Sequence, residues 1–180
     1  MKILLILLTA IILNADIKQD ILHLYQNKNF EEACDIGFKN FNDNSKDEEY
    51  VSIYSFSCLN IDYVDRLSVS ITTLKFSKEG RANATYFSTI LLQKKLLYYA
   101  MIDDYDISNL ILPKTDYVLS KVFDLYVKNV KGEKKEFYFF DDEDNNNLKY
   151  KLYVLKDDRI DKIVIEEFYN SITIKKHIYW

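Results

Sequence analysis

The sequence predicts an α+β fold in which antiparallel helical hairpins, about seven helices in all, precede a four-stranded antiparallel β-meander. Up to residue 130 the apolar residues recur at helical spacing, whereas beyond residue 135 they alternate with polar residues as in strands. Only three glycines and one proline occur in the 180 residues, so few breaks interrupt the helical part. The change of period divides the mature chain into a helical domain, 16–130, and a sheet, 131–180.

The first fifteen residues, MKILLILLTAIILNA, have the layout of a secretory signal peptide. One lysine precedes an apolar run of eleven residues, Ile3–Leu13, and the small residue Ala15 follows. A membrane anchor needs about 20 apolar residues, so this run is too short to span a bilayer. The sequence therefore predicts cleavage between Ala15 and Asp16, export to the periplasm, and no integral membrane segment in the mature chain.

Composition indicates a folded protein that does not bind nucleic acid. Hydrophobic residues make up 48% and charged residues 29% of the chain, which are values typical of globular domains. The net charge is −4 and the two signs are intermixed, so no basic stripe is available for a phosphate backbone.

The first helical hairpin is predicted over residues 17–41. Ile17, Ile21 and Leu24 lie on one face of an amphipathic helix, and a polar break at 27–29 follows. The helical period resumes at Phe30. Because the connection is so short, the two helices must pack antiparallel.

A second hairpin repeats this pattern. The apolar spacing restarts near Val51, breaks at 60–62 and resumes from Val64 to Leu74. Sliding the first hairpin by 34 residues brings the two polar breaks into overlap.

This period is the length of a tetratricopeptide repeat. The stretch "LYQNKNFEEA" resembles the middle of that repeat, with an apolar pair, a short polar turn, an aromatic residue and an alanine three positions later. Asp20 and Ile21 depart from the family pattern, and no proline closes either copy. A weak third copy extends to Pro113 if about seven residues are inserted. The resemblance covers about residues 16–113; the alternative is an irregular helical bundle with a coincidental period.

The last predicted helix lies in "KTDYVLSKVFDLYVKN", with Thr115 or Asp116 as its cap. Val118 and Val122 begin its apolar face, and it would cover the end of the helical stack. Residues 131–135 then mark the boundary to the sheet.

Four strands are predicted after that boundary. Their segments are "EFYFF", "LKYKLYVLK", "DKIVIEEF" and "ITIKKHIYW". The apolar face of the second strand is expected at alternate residues from Leu148 to Val154. That of the last strand is expected at Ile172, Ile174, Ile178 and Trp180. A helix over 161–169 is the alternative, but its β-branched residues favour a strand.

Cys34 and Cys58 are the only cysteines, and the hairpin pattern places them on neighbouring helices. In an oxidising compartment they can form a disulfide, which would stabilise the fold by about 3 kcal/mol. Two free buried thiols are the alternative, because cysteine is often a core residue.

No catalytic, cofactor-binding or metal-binding residues are predicted. His23 and His177 are isolated in the sequence, and packing or solvent exposure explains them better than ligation. The acidic loop 141–147 has the alternate carboxylates of a calcium loop, but Asn147 stands at the glycine position and Tyr153 at the bidentate glutamate position. A hairpin turn is the simpler interpretation. The cluster Asp103, Asp104 and Asp106 is expected to cap a following helix.

The sequence thus indicates a non-enzymatic exported protein, without a cofactor, that binds a protein or peptide of the cell envelope or acts as a scaffold. Tyr50, Tyr54 and Tyr86 are the candidate partner-binding residues, on helices that would line the concave face of the stack. One alternative is a structural envelope protein that assembles through its C-terminal edge strand, 171–180. A second alternative is an unrecognised hydrolase.

Overall fold

The computed structural model describes residues 17–130 and 135–180. The predicted signal peptide and most of the predicted domain boundary lie outside these residues. Within them, the predicted α+β fold is confirmed, with helices first and an antiparallel sheet after them. The α-helices span Ile17–Gln26 (α1), Phe30–Lys39 (α2), Phe41–Asn44 (α3), Glu48–Asn60 (α4), Leu67–Thr73 (α5), Lys78–Asp103 (α6) and Val118–Asn129 (α7). A 3-10 turn, Val64–Arg66, precedes α5.

The two helical hairpins have equivalent turns, one period of 34 residues apart. Lys28 ends the first helix of one hairpin with φ 60°, and Asp62 does so in the other with φ 66°. The main-chain N–H of Asn29 donates to Leu24 at 2.9 Å, and that of Tyr63 donates to Cys58 at 2.9 Å. The sequence period is therefore also a period of backbone geometry. Membership of the tetratricopeptide family stays a prediction.

A carboxylate from α4 binds the main chain just before the long helix α6. Glu48, at the start of α4, accepts hydrogen bonds from the main-chain N–H groups of Lys75, Phe76 and Ser77 at 2.5, 2.7 and 2.8 Å. A hydrogen bond with the Ser77 side chain and these main-chain bonds lower the pKa of the Glu48 carboxyl to about 2. At Gly80 an added Cβ would lie 2.7 Å from this carboxylate, so a larger residue there would displace it.

The weak third repeat copy is wrong as a hairpin. Asp104 has φ 57° and ends α6, and no helix forms between it and Val118. Asp106 accepts a bond from the main-chain N–H of Ser108, so its carboxylate stabilises a local turn rather than capping the next helix. The aspartate cluster therefore closes α6 instead of opening a new helix.

Helix α7 also begins differently from the prediction. Tyr117 precedes it, and no side-chain hydrogen bond caps its first turn. The carboxylate of Asp116 accepts instead from Tyr86 Oη at 2.7 Å. The helix packs on α6, and the ring of Tyr126 meets Tyr138 of the sheet edge to face.

The predicted β-meander is confirmed, with strand order β1-β2-β3-β4 and every pair antiparallel. The strands span Phe137–Asp141 (β1), Leu148–Leu155 (β2), Lys162–Tyr169 (β3) and Ile172–Tyr179 (β4). Tyr150 and Leu152 face the helices, as the alternation in β2 predicts.

In β4 the predicted apolar face is the exposed one. The side chains of Ile172, Ile174 and Trp180 are exposed, whereas His177 and Tyr179 are buried. A bulge explains part of this change, because Glu167 pairs with Lys175 and Phe168 with Thr173, so that Ile174 has no opposite residue.

Cys34 and Cys58 form a disulfide that joins α2 to α4, with Cα atoms 4.8 Å apart and both residues fully buried. This bond lies in a core to which the helices and the inner face of the sheet both contribute. Among the residues that the structure describes, no helix combines the length and apolarity needed to cross a membrane.

Candidate functional site

A cleft of about 420 Å³ lies where the helices meet the inner face of the sheet. The end of α4, the first half of α6 and the start of α7 form one wall, and β2, β3 and β4 form the other. The volume falls in the range of about 300–1,000 Å³ that is typical of ligand sites. Apolar side chains from both walls line it, namely Phe56, Leu59, Val118 and Leu148.

Of the three predicted partner-binding tyrosines, only Tyr86 lies in this cleft. Its side chain is partly exposed, and its ring lies 6.1 Å from that of Phe56. Because Tyr86 Oη donates to Asp116, the ring is held in place at the wall of the cleft.

Tyr50 and Tyr54 are wrong as contact residues, because both are fully buried. Tyr50 Oη donates to the carbonyl oxygen of Gly37 at 2.8 Å, and burial raises the pKa of Tyr50 to about 12. Tyr54 packs so closely on Gly37 that an added Cβ there would lie 2.7 Å from Tyr54 Cδ2. Helix α4 contacts α1, α2, α5 and α6, and therefore exposes little of its surface.

At the inner end of the cleft, one imidazole lies between two carboxylates. His177 Nδ1 is 2.8 Å from Asp62 Oδ1, and His177 Nε2 is 2.8 Å from Glu167 Oε1. Burial lowers the pKa of His177, but the hydrogen bonds with Asp62 and Glu167 raise it by more, so that the pKa lies above its usual value. The doubly protonated imidazolium can donate to both carboxylates, whereas a neutral imidazole can donate to only one of them.

Asp62 is the centre of this network. Tyr117 Oη donates to Asp62 Oδ1 at 2.5 Å, and Tyr179 Oη donates to the same oxygen at 3.1 Å. Burial, and then the neighbouring carboxylate, raises the pKa of Tyr117. The left-handed backbone of Asp62, set by the hairpin turn, presents the carboxylate to α7 and β4 together.

This arrangement leaves neither ring nitrogen of His177 free for proton transfer. A general base needs a free nitrogen within reach of the substrate, and both nitrogens of His177 are occupied in a side chain that is 2% exposed. The described residues contain no group of three or more histidine, cysteine, aspartate or glutamate side chains that could hold a metal ion. The network instead fixes the wall of the cleft.

Two lysines lie at the cleft. Lys121 pairs with Asp142 at 3.3 Å. Lys175 is exposed on β4, and within the described part of the chain its ammonium group has no hydrogen bond or ion pair.

The acidic loop that resembled a calcium site is a hairpin turn. Asp142 Oδ1 accepts from the main-chain N–H groups of Asp144 and Asn145 at 3.0 and 2.9 Å, and Tyr150 Oη donates to Asp142 Oδ2. These bonds use the Asp142 carboxylate internally, which supports the turn interpretation.

Sequence reasoning missed the buried network because its members are far apart in the chain. Asp62 and His177 are separated by 115 positions, and no spacing rule connects them. One signal in the sequence is the alternation of the last strand. If its odd-numbered residues face the core, the polar groups of His177 and Tyr179 need buried hydrogen-bond partners.

Comparisons with known proteins yield no match to a family model, to a curated protein or to a solved structure.

Proposed function

We propose that this chain is an exported, non-enzymatic protein-binding module whose recognition site is the cleft between helices and sheet. The observation that carries the proposal is the partly exposed, fixed ring of Tyr86 in a concave surface that also includes the partly exposed side chains of Phe56 and Leu148. Fixed aromatic rings in concave surfaces are typical anchors of peptide and protein interfaces, because they give a large contact area at a small cost in entropy.

Two observations support export. The first fifteen residues have the layout of a signal peptide. The disulfide between Cys34 and Cys58 is of a kind that persists in oxidising compartments. Edman or mass analysis of the periplasmic fraction should find a mature chain beginning at Asp16.

The geometry favours the cleft over assembly through the edge strand. The exposed part of β4 carries Lys175 and Lys176 and the bulge at Ile174. Edge strands commonly use lysines and bulges to prevent pairing with another chain.

Site-specific photo-crosslinking tests the proposal. A benzophenone amino acid at Asn60, in the cleft, should join the chain to a defined protein in intact cells of the source organism. The same probe at Asn42, which is exposed on α3 away from the cleft, is the matched control.

The captured protein must then bind the purified chain directly. Tyr86→Ala should weaken this binding about tenfold or more, since aromatic anchors contribute about 2 kcal/mol. Tyr99→Ala alters an exposed tyrosine of the same helix and should leave the dissociation constant unchanged. Equal adducts from positions 60 and 42, or equal binding by the two tyrosine variants, would reject the cleft as the binding site.

A further inference from the structure

We infer that the ligand of the cleft carries a carboxylate next to an apolar side chain, and that Lys175 is the counter-ion of this carboxylate. The inference rests on the proposed function, because it specifies the chemistry of the segment that the cleft binds.

The charges of the cleft wall lead to this conclusion. Glu167 accepts from His177, Asp116 accepts from Tyr86, and Lys121 pairs with Asp142. Each of these three groups is thus engaged within the chain. Lys175 is the lysine of the cleft without such a bond among the described residues, so a bound anion meets an ammonium group that needs no prior rearrangement.

The main-chain position of Lys175 is also fixed. In β4 it lies opposite Glu167, directly after the bulge and two residues before the buried His177. The bond from His177 to Asp62 ties this part of the strand to the turn after α4, and the bond to Glu167 ties it to β3. The ammonium group therefore starts from a rigid backbone at the rim of the cleft.

The remaining lining requires an apolar part in the ligand. Phe56 and Leu148 contribute partly exposed apolar side chains, and Tyr86 adds an aromatic ring. A carboxylate alone would leave this surface in contact with water, whereas a leucine-sized side chain would cover it.

Two peptide sources offer this chemistry, and defined peptides separate them. The probes are N-acetyl-Ala-Ala-Leu with a free C-terminal carboxylate, N-acetyl-Ala-Glu-Leu amide with a side-chain carboxylate, and N-acetyl-Ala-Gln-Leu amide as the neutral control. Binding to the ¹⁵N-labelled full chain is followed by chemical-shift changes of the main-chain amides of Asn60, Tyr86 and Lys175.

At least one carboxylate peptide should bind about tenfold more tightly than the neutral peptide, as expected for one favourable charge contact. The difference should shrink when the salt concentration is raised. Lys175→Gln should abolish it. Lys149→Gln changes an exposed lysine of β2 that pairs with Asp141 and should preserve it.

The outcomes separate the two proposals. If all three peptides perturb the cleft equally, or if Lys175→Gln leaves the difference intact, the carboxylate inference is wrong while the binding function stands. If no peptide binds but the crosslink at position 60 forms, the ligand chemistry is likewise wrong. If no peptide binds at the cleft and no crosslink forms at position 60, both proposals fail.

Discussion

Asp62 and His177 show how single residues hold the two parts of this molecule together. The carboxylate lies in a helical hairpin turn and the imidazole in the last strand, yet their nearest atoms are 2.8 Å apart. Glu167 completes the pair from the neighbouring strand. A buried cation between two carboxylates is stable only while all three partners are present.

The charge on His177 predicts a pH dependence of stability. The folded state holds the imidazole proton more tightly than the unfolded chain, whose pKa is near the ordinary value of 6.5. The stabilisation is therefore complete below about pH 6.5 and is lost as the pH rises through the raised pKa of the folded protein. His177→Gln should lower the free energy of unfolding by about 3 kcal/mol at pH 6, and by less at pH 9.

Urea unfolding at the two pH values measures this difference. His23→Gln alters the other histidine, which is exposed on α1, and should change the unfolding free energy little. A His177→Gln effect of the same size at pH 6 and pH 9 would show that the imidazole contributes packing rather than charge.

At the scale of elements, the sequence predicts the helices and strands because these depend on local periodicity. The two hairpins and the four strands follow from period 3.6 and period 2, and the structure has both. The exposure of Tyr50 and Tyr54 depends on how many helices surround α4, which local spacing does not encode. The prediction for the face of β4 is wrong in part because the bulge at Ile174 shifts the alternation by one residue.

The disulfide between α2 and α4 predicts a large loss of stability on its removal. The bond closes a loop between positions separated by 24 residues. The chain-entropy model gives about 3 kcal/mol for a loop of this size, which corresponds to a melting temperature lower by about 10 °C. The double variant Cys34→Ser, Cys58→Ser should show this decrease in calorimetry.

A reducing agent provides the matched comparison. Unfolded parent protein that is reduced and refolded should melt near the temperature of the double variant. If the parent and the double variant melt at the same temperature, the bond adds no stability to this fold.

At the scale of the whole molecule, the helical part and the sheet share one core. Leu97 of α6, Leu125 of α7 and Ile165 of β3 belong to the same buried cluster. Lys94, which is buried on α6, binds Asp65 at 2.7 Å and also donates to the main-chain oxygen of Trp180. The sheet is thus packed on the helices rather than appended to them.

This shared core predicts cooperative unfolding. Circular dichroism at about 222 nm reports the helices, and the fluorescence of Trp180, the one tryptophan of the chain, reports the junction at the end of β4. The two signals should give coincident denaturation curves. A fluorescence transition at clearly lower denaturant concentration would indicate that the sheet detaches before the helices unfold.

The carboxylate at the start of α6 has a consequence for the solvent around the protein. Free N–H groups at the start of a long helix commonly attract phosphate or sulfate from the buffer. Here Glu48 already accepts from three of the main-chain N–H groups that lead into the helix. The start of α6 therefore already has a bound anion, the carboxylate of Glu48. We expect it not to bind phosphate or sulfate from the buffer.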